Sequence, residues 1–138
     1  MTAAVDIPAA ARAHTPEGAE AFVRFFLEQA ALAWTKPDAS LIPPLSDPGC
    51  LSCKDLQKTA TELVAKRQRY RSSPISIQSV VSVGGFKEQT HIHVQMTQKK
   101  VDVIDAKGAV VLTDPYQKLT RTVALTWKGD QWILYDVA

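Results

Sequence analysis

Apolar residues in this chain follow two different periods. Ala19, Phe22, Val23, Phe26, Leu27, Ala30 and Trp34 recur at helical spacing, one stripe of about five turns. Thr15-Pro16-Glu17 marks its start, because Thr15 can cap, Pro16 suits the first turn and Glu17 complements the positive end of the helix dipole. Lys36-Pro37 stops it, since a residue before proline is pushed out of the helical region. After a short turn through Leu41 and Ile42 and the Asp47-Pro48-Gly49 turn, a second helix is predicted from Cys50 or Leu51. Leu56, Ala60, Leu63, Val64 and Tyr70 keep its spacing, and it is expected to end around Arg71, before Ser72-Ser73-Pro74.

The period then changes from 3.6 to 2. Ile75, Ile77, Ser79, Val81 and Val83 alternate with Ser76, Gln78 and Ser82 up to a turn at Gly84-Gly85. Thr90, Ile92, Val94 and Met96 alternate with His91, His93, Gln95 and Thr97. The phase is displaced across Lys99-Lys100, which implies a bulge or strong bend before Val101, Val103 and Ile104. Asp105 to Gly108 reads as a hairpin turn. Leu119, Val123, Leu125 and Trp127 make a further strand, turned by Lys128-Gly129-Asp130 into Trp132 to Val137. Helices first and an antiparallel meander afterwards predict an α+β domain, with N-terminal helices packed on a curved antiparallel sheet.

Composition narrows the picture. At 138 residues the chain is one ordinary domain, and 46% hydrophobic with 22% charged residues is the balance of a folded globular protein. A net charge of +2 gives no concentrated basic face for nucleic acid. No apolar run approaches about 18 residues, the length a spanning helix needs. Residues 1–14 are Ala-rich, without the basic and apolar regions of a signal peptide, and read as a flexible tether of about 45–50 Å ahead of a single domain over 15–138.

Cys50 and Cys53 are the only cysteines, and three chemistries suit such a pair. A structural disulfide at the start of a helix is the favoured reading, since an even count without strays fits an oxidising compartment. A redox-active pair would gain from a helix N-terminus, but Pro43, Pro44 and Pro48 stand where a preceding strand would be. Zinc would need four ligands, and His91 and His93, two apart on one strand, are the only paired additions, so neither metal nor cofactor is expected. The two histidines read instead as a polar or interface-facing strip. Phe86, Trp127 and Trp132 read as core or sheet-face packing. Lys66, Arg67, Arg69 and Arg71 cluster in the expected last turns of the second helix, complementing its dipole or forming a landing patch for anionic surfaces.

This order of elements, ending in Val123 to Trp127 and Trp132 to Val137, resembles the nuclear-transport-factor-2-like (cystatin-like) cone. More specifically, the block Thr15 to Phe26 together with Leu45-Ser46-Asp47-Pro48-Gly49-Cys50-Leu51-Ser52-Cys53 looks like an actinobacterial family of uncharacterised secreted lipoproteins. That resemblance implies an extracytoplasmic, cell-envelope location, with membrane attachment through a lipid-modified cysteine upstream of the linker. It also implies homodimerisation through an exposed sheet face, and it brings no catalytic residues. Enzymes of this cone use a carboxylate in the cone mouth to move a proton. Asp102 and Asp136 are the acids to consider here, Tyr70 and Tyr116 the donors, and Asp136, sharing a side with Trp132 and Leu134, is the more interesting carboxylate. The expectation is therefore a non-catalytic envelope binding or scaffold domain for a partner or small ligand, with Asp136, Tyr70 and Trp132 as cavity residues. The alternative is an isomerase- or dehydratase-like enzyme.

Overall fold

A computed structural model describes residues 6–84 and 89–138. Helix α1 spans Pro16–Thr35, with the Thr15 side chain accepting the Gly18 N–H at 2.9 Å, and it stops where Pro37 forbids continuation. Its apolar stripe buries Phe22, Val23, Phe26 and Ala30. Helix α2 spans Leu51–Lys66 and buries Cys53, Ala60 and Leu63. The strands are β1 (Arg69–Tyr70), β2 (Ile75–Gly84), β3 (Gln89–Gln98), β4 (Val101–Ile104), β5 (Val110–Asp114), β6 (Gln117–Lys128) and β7 (Gln131–Val137). All strand pairs are antiparallel, in a four-stranded sheet ordered β2-β3-β6-β7 and a three-stranded sheet ordered β1-β4-β5. The displaced phase at Lys99-Lys100 is where the chain leaves the larger sheet for the smaller one.

The inner face of the larger sheet carries Val80, Ile92, Val94, Val123, Leu125 and Leu134 against α1, so the expected arrangement of helices on an antiparallel sheet is the one adopted. A smaller cluster of Leu63, Tyr70, Val101 and Val103, with Trp34 against it, fastens the second sheet.

Several local expectations are corrected. The second helix ends at Lys66, not near Arg71. Arg67 takes the left-handed conformation (φ 55°), and the N–H groups of Arg67 and Gln68 close on the carbonyls of Val64 and Leu63. This is a Schellman-type stop without the usual glycine, and it releases Arg69 and Tyr70 into β1. In β2 the register slips between Ile77 and Ser79. Beyond this bulge Val80 is buried, while Val81 and Val83 are 49% and 55% exposed, reversing their expected side.

Nor are Asp6 to His14 a free tether. Ile7 and Ala11 enter the core, and a 3-10 turn forms over Ala9–Arg12. The Trp132 indole N–H donates to the Ala13 carbonyl at 2.9 Å, and the His14 ring stacks on Trp127 with centroids 4.2 Å apart. Phe86 and Gly85 of the expected hairpin lie outside the described residues.

Candidate functional site

Alternation in a strand decides which side chains meet the helices. On β3 the inward residues are Thr90, Ile92, Val94 and Met96, and their partners across the ladder on β6 are Leu125, Val123, Arg121 and Leu119. Packing of the two helices over this face leaves space between them and the strands. The result is a cavity of about 300 Å³. Val23, Phe26, Leu27 and Ala30 form its helical wall and Ile75, Val94, Met96, Leu119 and Val123 its floor. Leu134 and Val137 of β7 close one side, Leu56 of α2 another, and the polar residues of the lining are Ser52, Asp55, Gln98, Gln117 and Arg121. Gln117 and Gln98 face each other across β6 and β3, with amide nitrogen and oxygen 3.5 Å apart.

Arg121 is the unusual member. Its position in the ladder, opposite Val94 and between Leu119 and Val123 on the inner face, is one that an apolar residue would normally take. It is half-buried, and its Nη1 donates to the neighbouring Thr120 carbonyl at 2.9 Å. It forms no ion pair with any described residue, Asp55 included. Sequence reasoning missed Arg121, although the signal is present: it stands in phase with Leu119 and Val123 rather than with Thr120 and Thr122.

The residues named from sequence lie elsewhere. Asp136 is exposed and outside the cavity. The β6–β7 register slips between Ala124 and Leu125, so that Tyr135 is an extra residue and the inward phase passes from Leu134 to Val137. Trp132 is fully buried under the N-terminal segment rather than in the cavity. Tyr70 belongs to the second cluster, stacked on Trp34 at 5.0 Å, with its hydroxyl donating to Asp114. Burial, and then the Asp114 carboxylate, push that hydroxyl far above the ordinary tyrosine range. Asp102 accepts from the Thr113 hydroxyl at 2.7 Å and lies 4.0 Å from Arg71, while Tyr116 is exposed.

His91 and His93 face away from the helices, opposite Ala124 and Thr122, the first exposed and the second half-buried. Cys50 and Cys53 are joined in a disulfide, both buried, at the first turn of α2. The four basic residues do not form one patch. Arg67 and Arg69 border a wide, open groove together with Lys107, while Arg71 turns to Asp102 and Lys66 stays on the helix. Among the described residues no cluster of His, Cys, Asp and Glu could hold a metal ion, and no helix is long and apolar enough to cross a membrane.

Three solved structures share the fold. The intermembrane-space region of the chloroplast protein ARC6 aligns with a TM-score of 0.65 at 15% identity, covering 90% of this chain and 95% of that one. Aln2 from a Streptomyces species gives 0.57 at 14% identity, covering 90% of each chain. A putative calcium/calmodulin-dependent protein kinase II association domain from Xanthomonas campestris gives 0.56 at 10% identity, covering 99% of this chain and 94% of that one. At such identities they speak for the fold alone, helices packed on antiparallel sheets. No curated protein sequence matches the chain. The family of unknown function DUF6318 matches over residues 6–138, which takes in the packed N-terminal segment as well as the helices and sheets, and the chain belongs to that family.

Proposed function

We propose that this chain is a non-catalytic binding domain of the cell envelope, holding a small, largely apolar ligand between α1 and the larger sheet. The observation that carries the reading is the 300 Å³ cavity walled by side chains of both helices and the sheet. Its volume sits at the small end of ligand pockets, and its chemistry is theirs: apolar walls with a few polar groups among them. Its one carboxylate among the described residues is Asp55, which is exposed rather than held against an apolar wall as a general base would be. The Cys50–Cys53 disulfide supports an oxidising, extracytoplasmic location. The resemblance to secreted lipoproteins supports attachment through sequence upstream of the domain.

The test is a titration of the methyl-labelled protein with 1-decanol. Saturable shifts confined to Ile75, Leu119, Val123 and Met96 are expected, and Ala30→Phe, which fills the cavity from α1, should abolish them while the protein stays folded. Shifts that do not saturate, or that Ala30→Phe leaves unchanged, would refute the reading.

A further inference from the structure

Arg121 gives the cavity a chemical preference. A guanidinium beside apolar side chains is often paired with a carboxylate, and Arg121 is half-buried in the lining with its head group reaching solvent. Among the described residues its one hydrogen-bond partner is the carbonyl of the residue before it, at 2.9 Å. The one carboxylate among the described lining residues, Asp55, makes no ion pair with it. Its guanidinium therefore keeps most of its five donors for something else. Val94 lies opposite it, Leu119 and Val123 flank it on the strand, and Phe26 and Leu134 share the lining, so one cavity combines a cation with apolar walls.

From this we infer that the ligand is a single-chain amphiphile with a carboxylate head, the head paired to Arg121 and the alkyl chain lying along the floor toward Phe26. The inference rests on the proposed binding role and adds the ligand class to it. A planar guanidinium matches a carboxylate through two parallel N–H···O bonds, which a lysine ammonium cannot reproduce. The volume has room for one medium-length chain and not for a two-chain lipid.

Decanoate and 1-decanol share the same hydrocarbon body and differ in the head, so calorimetric titration of the full chain with each separates the two levels. The wild-type protein is expected to bind decanoate about 10- to 100-fold more tightly than 1-decanol, the range a hydrogen bond to a charged group supports. Arg121→Gln should remove that difference while leaving 1-decanol affinity within a factor of about 2, and Arg121→Lys should recover only part of it. Equal affinity for the two ligands, or an Arg121→Gln variant that still prefers decanoate, overturns the assignment of Arg121 and leaves the binding role standing. Failure of both ligands to bind wild-type protein removes the binding role itself. Unchanged circular dichroism and melting temperature in Arg121→Gln separate lost recognition from lost fold.

Discussion

Tyr70 carries its hydroxyl proton into a partly buried hydrogen bond with Asp114, and burial and that carboxylate both oppose its loss. The folded chain therefore holds this proton at a pH where the unfolded chain, with an ordinary value of about 10, has released it. The resulting stability is complete below about pH 10 and is lost as pH rises beyond it. Tyr70→Phe should flatten the alkaline fall in unfolding free energy above pH 10. At neutral pH it should cost about 1.5 kcal/mol for the missing hydrogen bond to a charged group. Urea unfolding at pH 7 and pH 10.5 measures both, and an equal alkaline loss in the two proteins contradicts the assignment. Tyr70 also shows how far a residue can be read in isolation. Its place one step beyond a helical stripe suggests a helix face, whereas the left-handed Arg67 turns it into a strand under Trp34. Arg121 is the opposite case, since strand parity alone places it beside Leu119 and Val123.

Of the two helices, α2 has the weaker hold of its own: three buried residues along its length and an N-terminus capped by a sulfur, with Cys50 Sγ accepting the Cys53 N–H at 3.2 Å. The disulfide spans a sequence separation of 3, and so short a loop restricts the unfolded chain by about 2 kcal/mol on loop-closure grounds. The double variant Cys50→Ala/Cys53→Ala should lose about that much and remain folded, as chemical denaturation would show. A loss above about 4 kcal/mol would mean that the bridge organises the turn before α2 as well. That turn is already tied elsewhere, through the Asp47 N–H to the Leu134 carbonyl at 2.8 Å and the Lys128–Asp47 ion pair at 3.0 Å. The start of α1, its stop at Pro37 and the change of period at Ile75 are all legible because each depends on neighbouring residues. The bulges at Gln78 and Tyr135 are not, because each answers to a partner strand, and each reverses which side chains face inward. The second of them carries Asp136 to the outside.

For the molecule as a whole, the N-terminal segment completes the domain rather than leading to it. Its contact with α1 is tight enough that a methyl group on Gly18 would lie 2.0 Å from the Ala13 carbonyl oxygen, the acceptor of the Trp132 indole bond. Alanine would gain up to about 1 kcal/mol in helix propensity. Against that, a backbone group must move, and overpacking of this kind costs about 1–3 kcal/mol. Gly18→Ala is therefore expected to be destabilising by about 1 kcal/mol and to shift tryptophan emission as Trp132 loses its partner. A stabilised variant with unchanged emission would show that the segment yields freely. Nothing in Ala-rich composition marks such a segment as structural: Ile7 and Ala11 join the core, while Ala13 and His14 cover the Trp127–Trp132 pair.

That clamp has a mechanical result. The nine residues from Asp6 to His14 would reach about 30 Å if extended, and in the folded domain all of that slack is withdrawn. Whatever precedes Asp6 therefore joins the domain at this packed edge, and these nine residues add no reach of their own.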